Sequence, residues 1–443
     1  MTETPAPTLR RLRLADATEA QRRALTDRAS TATPDIRAKA RAIVDSIRAG
    51  GDAALRDANR RFGGGLTEPA DAPALRVARA ELEAARDALP DDLRAGLEQM
   101  AGNIEAFHAI EVPPPAQWVE TEPGVSVGRV WRGLDRVAAY VPGGTAAYPS
   151  SLLMSAIPAR LAGVGTFVVA SPAGANGELS PALLGAAGLM EVEEFWVMGG
   201  AQAIGALAYG TESIARVDKI VGPGNAWVTA AKLEVLDACA IDMPAGPTEV
   251  MVVADDTADP VHVAADLLSQ AEHGPDSPSL LVTPSEALAD AVEVELARQL
   301  PTLLRRDTLA ESVRAAGTAV ITADVGEALA FADAYAPEHL SCVVADLDAA
   351  LAALSHAGSL FLGPYAPESA GDYAAGSNHV LPTAGAGRAY SPLGVESFGR
   401  WMQVNRVTRD GLARILPAVT AVAEAEGLTA HRRAVEIRFE DQG

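Results

Sequence analysis

The sequence predicts an α/β protein: two parallel-sheet modules, with an N-terminal arm and a small helical C-terminal tail domain. Three observations predict it. From residue 136 onward, short apolar runs alternate with segments of helical spacing, which is the pattern of βαβ units. Several of these runs end on glycine turns, at 143–144, 199–200 and 222–224. The same rhythm restarts after residue 248. The expected boundaries are 1–33 for the arm, 34–139 with 249–393 for a discontinuous main module, 140–248 for the second module, and 394–443 for the tail.

In chain order, residues 1–33 are polar and Arg-rich, an arm rather than a core element. Thr33-Pro34 supplies an N-cap followed by proline at the first helical position, and the helix can stop at Gly50-Gly51. Residues 79–108 are rich in Ala, Leu and Glu at helical spacing, and 124–131 alternate as a strand or hairpin. Strands are expected at 137–141, 166–169, 195–198 and 220–221. Helices fit 150–161, 181–187, 201–208 and 225–236. In the second run, strands are expected at 250–253, 280–282, 319–321, 342–344 and 360–362. Asp259-Pro260 caps a helix that reaches His273 and stops at Gly274, and another helix covers 288–300. From about residue 395 the pattern reads as helical, with a break at Gly427 and a short helix from Thr429.

Composition narrows the function. The chain has 443 residues, long enough for more than one core. Its net charge is −22, which argues against a nucleic-acid or anionic-membrane surface, since either needs a clustered positive field. Lys39, Lys219 and Lys232 are its only lysines, so Schiff-base chemistry has few candidates. Cys239 and Cys342 lie beside apolar residues in no paired-motif spacing and read as buried thiols. No apolar run reaches the ~18 residues of a membrane helix. The N-terminus lacks a basic segment followed by an apolar one, so no signal peptide is expected. A cytoplasmic protein follows.

Chemistry gathers at a few stretches. In Ala336-Pro337-Glu338-His339-Leu340 a carboxylate and an imidazole stand together, just ahead of an apolar run. The imidazole can take a proton from an alcohol and the carboxylate can activate a water. A solvated loop holding two polar residues by chance fits the same stretch. Gln270 and His273, three apart, share a helix face and offer an amide oxygen and an imidazole to a divalent metal; a helix-end histidine also serves as a cap or dipole partner. Asp372 sits in Gly371-Asp372-Tyr373, in a Gly-rich loop beyond a strand, where open sheets bind ligands, or where a turn Asp makes a local hydrogen bond. Glu426 and His431 flank Gly427 and could be a helix end and a helix start. Gly222-Pro223-Gly224-Asn225 has two glycines of a dinucleotide fingerprint and lacks the third, so the modules are Rossmann-like with an incomplete fingerprint. Such loops can bring backbone N–H groups to phosphates.

Together these stretches resemble the histidinol dehydrogenase family, from about residue 35 to 438. The matching segments are Tyr140-Val141-Pro142-Gly143-Gly144, Gly199-Gly200-Ala201-Gln202, Gly222-Pro223-Gly224-Asn225, Gly246-Pro247-Thr248-Glu249 and Ser269-Gln270-Ala271-Glu272-His273. Pro337-Glu338-His339-Leu340, Gly371-Asp372-Tyr373, Asn378-His379, and Glu426 with His431 follow in the same order.

The resemblance implies zinc held by Gln270, His273, Asp372 and His431, with Glu338 and His339 as the acid–base pair. It implies that Tyr140, Gln202 and Asn225 contact NAD. It puts substrate against Thr248, Gln270, His273, His339, Asp372, Glu426 and His431. The implied reaction takes L-histidinol through L-histidinaldehyde to L-histidine, with two NAD reduced. A homodimer in which Glu426 and His431 are supplied in trans is also implied. The chain departs from the family pattern at Thr248, where Ser is common, at Ser341-Cys342, and at Ala389-Tyr390-Ser391-Pro392. These leave room for another polar alcohol as substrate. A zinc hydrolase using Glu338 without NAD, and a non-catalytic binder with the same fold, are the alternatives of different class.

Overall fold

The computed structural model describes residues 8–26, 28, 33–64, 75–143, 148–174 and 177–440. Gly144, the last residue of the Pro142-Gly143-Gly144 turn, lies outside them. The arm contributes β1 (Arg10–Arg13) and α1 (Glu19–Thr26). Helix α2 (Pro34–Phe62) starts where the sequence places it, with the Thr33 hydroxyl accepting the Ile36 N–H. Gly51 interrupts it at φ +53°, and helix then resumes to Phe62. Next come β2 (Arg76–Val77), α3 (Arg79–Asp87) and α4 (Asp91–His108), the two helices divided at Pro90. β3 (Ala116–Glu122) and β4 (Val125–Gly133) form the expected hairpin.

The first α/β run is β5 (Arg136–Tyr140), α5 (Pro149–Ala162), β6 (Thr166–Ser171), α6 (Pro181–Leu189), β7 (Glu194–Val197), α7 (Gly200–Tyr209), β8 (Lys219–Val221), α8 (Ala226–Glu234) and β9 (Ala240–Ile241). The second is β10 (Val250–Ala254), α9 (Pro260–Ala271), β11 (Ser279–Thr283), α10 (Glu286–Gln299), α11 (Arg306–Ala316), β12 (Gly317–Ile321), α12 (Val325–Tyr335), β13 (His339–Val343), α13 (Leu347–Ala353), β14 (Ser359–Leu362) and α14 (Glu368–Tyr373). The chain closes with β15 (Gly399–Val407), α15 (Arg409–Ala425) and α16 (Thr429–Glu436).

Both sheets carry the same winding. One runs β2-β7-β6-β5-β8-β9 and the other β1-β12-β11-β10-β13-β14. Apart from the antiparallel edge strand β2, the pairs are parallel. In each sheet the strand order reverses direction at one point, between β5 and β8 and between β10 and β13. Strands such as β5, β6, β10 and β12 are Val- and Ala-rich and almost wholly buried, because helices cover both faces. On the first sheet, α2, α7 and α8 share one apolar cluster and α4, α5 and α6 the other. On the second, α9 to α11 cover one face and α12 and α13 the other, joined by Leu14 and Leu25 of the arm.

Three expectations are corrected. Residues 34–108 pack on the first sheet, with Val44, Ile47 and Leu55 of α2 beside Trp196, Met198 and Ile204, not with the 249–393 module. A boundary at 139/140 would cut through β5. An amphipathic stripe states that a helix is buried but not against which sheet. The arm is an edge strand, β1 pairing with β12. The tail is not helical from 395 onward: after a single 3-10 turn at Val395–Phe398, β15 pairs along its length with β4, and Trp401 packs edge-on to Trp131 with centroids 5.5 Å apart. Its partner lies far away in sequence, so local spacing gave no sign of it.

At the end of β8, Gly222 has φ +101°, and a Cβ there would lie 2.2 Å from the Tyr140 carbonyl oxygen. Gly222→Ala is expected to cost about 2–3 kcal/mol through backbone strain and this overlap. A shift in the urea midpoint measures it; an unchanged midpoint would show that the loop relaxes freely.

Candidate active site

A cavity of about 500 Å³ lies where the two modules meet, within the ~300–1,000 Å³ of small-molecule sites. The first sheet faces it with the loops after its strands: Pro142 after β5, Gly222 to Asn225 after β8, and Asp242 after β9. The second sheet faces it with the opposite edge. Thr248 precedes β10, Ser277 precedes β11, and Glu338 and His339 stand at the start of β13. His273, just beyond the end of α9, and Asp372, near the end of α14, reach the same edge because these helices run back against their strands. Asp372 is thus in a helix rather than a loop beyond the carboxyl end of its strand.

Glu338 and His339 are buried, at 5% and 4% exposure. The strand pairing sets Val250 opposite His339, so Thr248 and Glu249 lie beside the pair. The Glu249 N–H donates to Glu338 Oε2 at 2.9 Å, and the Thr248 hydroxyl also bonds this carboxylate. His339 Nδ1 lies 3.1 Å from the Glu249 carbonyl. A carbonyl only accepts, so Nδ1 carries a proton and the neutral ring keeps its lone pair on Nε2. Nε2 lies 3.3 Å from Asp372 Oδ1, in ion-pair reach but without hydrogen-bond geometry. Phe361 stacks near the ring, with centroids 6.1 Å apart. Burial pushes the Glu338 carboxyl up, partly opposed by His339. Burial pulls His339 down, but the Glu338 and Asp372 carboxylates outweigh it and favour the imidazolium. The two groups titrate as a pair.

Gln270, His273 and Asp372 test the fit to a metal. Gln270 is fully buried, and neither polar atom of its side chain has a partner. An orphaned buried amide costs about 1–3 kcal/mol, and a cation would relieve it. Burial holds His273 below its ordinary value, which keeps a lone pair available. Burial opposes ionisation of Asp372, but His339 outweighs it and holds the carboxyl below its usual range. Amide oxygen, imidazole nitrogen and carboxylate oxygen suit a borderline divalent ion. Among the described residues no three His, Cys, Asp or Glu side chains gather to hold a metal. Glu426 and His431 are exposed on the tail and do not line the cavity.

Of the three residues expected at NAD, Asn225 lines the cavity and also caps α8, accepting the N–H groups of Trp227 and Val228. Tyr140 and Gln202 do not line it. The Tyr140 hydroxyl accepts the Gly200 N–H at 3.2 Å, and Gln202 donates to Asn59 and the Gly63 carbonyl. Three functional groups escaped the sequence. His379 lines the cavity, its Nδ1 2.8 Å from the Asp372 carbonyl and its Nε2 2.9 Å from Ser151 Oγ. Glu368 is buried in α14, accepts from Ser269 Oγ at 2.9 Å and leaves Oε2 unpaired. Glu249 is 2% exposed and touches both members of the acid–base pair. His379 and Glu249 stand in matching segments, which was their one hint, and nothing in the sequence marked Glu368.

The model of the family described as histidinol dehydrogenase matches residues 26–439. A histidinol dehydrogenase of Aliivibrio fischeri is 44% identical over 423 residues, 95% of this chain and 93% of that one. One from Rhizobium meliloti is 46% identical over 405 residues, 91% and 92% of the two chains. The crystal structure of histidinol dehydrogenase from Elizabethkingia anophelis superposes with a TM-score of 0.89 at 37% identity, covering 97% of this chain and 98% of that one.

Burial pushes the Glu368 carboxyl up to about 8. A raised folded value stabilises the protein fully below the unfolded value of 4.5, and that stability is lost as pH rises towards 8. In metal-free protein, Glu368→Gln is expected to match the parent at pH 4.5 and to exceed it at pH 8.5 by about 1–3 kcal/mol. Urea unfolding at both pH values measures this, and an equal difference at the two would rule out ionisation as the cause.

Proposed function

The chain belongs to the histidinol dehydrogenase family of NAD-dependent oxidoreductases, and we propose that its cavity oxidises L-histidinol to L-histidine through L-histidinaldehyde. The observation that carries this is the buried Glu338–His339 pair on the wall that also presents His273 and Asp372. Zinc, held by Gln270, His273, Asp372 and His431 of the partner subunit, would supply Lewis acidity and fix the imidazole and amine of the substrate. NAD would supply the hydride acceptor for both oxidations, and the Pro142 and Gly222–Asn225 loops, with Asn225 at the cavity and Tyr140 and Gln202 behind it, would hold it.

His339 Nε2 takes the hydroxyl proton as the first hydride leaves the carbinol carbon. The neutral ring, with its Nε2 lone pair free, is the base; a metal holding Asp372 would remove one of the carboxylates that favour the imidazolium. Glu338 takes a proton from water as its oxygen adds to the aldehyde carbon. The hydrate anion so formed loses the second hydride to give the carboxylic acid, whose proton passes to solvent and leaves the carboxylate product. Thr248 orients the Glu338 carboxylate and contacts substrate. The cavity walls exclude bulk water while the aldehyde waits for its second oxidation.

Ser341 and Cys342 are buried within β13, and neither they nor Ala389 and Tyr390 line the cavity. Of the departures from the family pattern only Thr248 lines the cavity, and it keeps the hydroxyl of a serine, which supports L-histidinol as the substrate. The exposure of Glu426 and His431, outside the cavity, supports their reaching a second copy's site in a homodimer. Exposed Val422 and Leu428 on the tail, with Trp118, Val119 and Met402 on the sheet it springs from, suit such a contact. The enzyme would act in the cytoplasm; no described helix is long and apolar enough to cross a membrane.

Purified protein given histidinol and NAD is expected to produce NADH absorbance. A zinc hydrolase or a binder would give none. Glu338→Gln is expected to slow oxidation of supplied histidinaldehyde at least about tenfold more than the first hydride transfer. Equal losses would remove the division of labour.

Mixing inactive His273→Ala chains with inactive His431→Ala chains tests assembly. If His431 acts in trans, each mixed dimer has one intact site and activity partly returns. Exchange without recovery would place His431 in its own chain's site.

A further inference from the structure

We propose that Glu249 is the positioning residue of the acid–base pair, and that Arg28 of the N-terminal arm is its fixed counter-ion. The inference rests on the roles proposed above for Glu338 and His339. Every polar group of Glu249 is committed to this task. Its N–H donates to Glu338 Oε2 at 2.9 Å. Its carbonyl accepts from the His339 backbone N–H at 3.3 Å and faces His339 Nδ1 at 3.1 Å. Its Oε1 accepts the N–H groups of Glu338 at 3.3 Å and of Ala384 at 3.1 Å. Its Oε2 accepts from Arg28 and from the Tyr335 hydroxyl. One residue thus sets the carboxylate, the ring tautomer and the backbone of the pair.

Arg28 is half-buried and reaches this carboxylate across 221 residues of sequence. Its guanidinium lies 3.4 Å from the Tyr335 ring centroid, and its Nη2 donates to the Tyr335 carbonyl at 2.6 Å. That carbonyl belongs to the turn leading into Glu338, where Ala336 has φ +51°. Ala384, the other donor to Glu249, has φ +54°. Both are non-glycine residues in the left-handed region, a conformation that persists only where the surroundings hold it. The ionic cluster supplies contacts that hold both. A buried carboxylate beside the Glu338 carboxylate also needs a positive partner, and Arg28 is the cation that touches it.

A plain anchoring role for Arg28 would affect stability. A positioning role affects turnover, and the two are separable. Arg28→Met leaves the Glu249 charge buried and unpaired; it is expected to lower kcat at least about tenfold while KM for histidinol and bound zinc per chain change less than about twofold. Glu249→Ala is expected to do the same. The double variant Arg28→Met with Glu249→Gln removes both charges yet keeps an acceptor oxygen for the two N–H groups, and is expected to recover most of the lost kcat. Arg28→Lys, a milder change, should fall between parent and Arg28→Met.

Three outcomes overturn the proposal: parental kcat in Arg28→Met and Glu249→Ala, losses shared equally by KM or zinc content, or a double variant no better than Arg28→Met. Glu338→Gln and His339→Asn run in parallel. If they keep full turnover, the acid–base assignment fails and this inference with it. If they lose turnover while the Arg28 and Glu249 variants keep it, this inference alone fails.

Discussion

Two parallel strands, β10 and β13, lie side by side with Val250 opposite His339, and the site depends on that register. It sets the peptide of Glu249 against the side chains of Glu338 and His339, with hydrogen bonds in both directions. A slip of one residue would send each of these side chains to the other face of the sheet. Both strands are buried within the sheet and clamped by helices on two faces, so the register has little freedom. Sheet pairing sets the register of the acid–base pair, and the Glu249 side chain then holds its backbone.

The cavity joins unlike edges of two similarly wound sheets. The first module offers the ends of its strands, where the Gly222 turn and the start of α8 suit a nucleotide. The second module offers the starts of its strands, with the ends of α9 and α14 bringing His273 and Asp372 to the same edge. The first edge is mostly turn backbone, with Asp242 accepting the Gly222 N–H, and the second carries Glu338, His339, His273 and Asp372. That division matches a reaction in which a hydride crosses from substrate to cofactor while protons stay with the protein.

Burial makes the second edge costly to build. Glu249, Glu338, His339, Glu368 and Gln270 are all nearly inaccessible. Arg28 offsets the charge of Glu249, and His339 offsets that of Glu338 and Asp372. Gln270 and one oxygen of Glu368 have no offset within this chain. Polar groups left in that state are the kind a bound cation satisfies.

Much of the fold was legible in the sequence alone. Short apolar runs located the core strands of both sheets, because parallel strands buried on two faces are continuously apolar; helices α11 to α14 and the edge strands β1, β2 and β9 were not read. Thr33, Asp259 and Asn225 marked helix starts through their own side chains. The ordered segments also marked the family. What the sequence left open was decided by contacts between distant residues. β15 pairs with β4, α2 packs on the first sheet, and Arg28 meets Glu249. Local spacing reports that a residue is buried or paired, and only tertiary structure names its partner. The same reason hid Glu249: its chemistry comes from the strand that lies beside it.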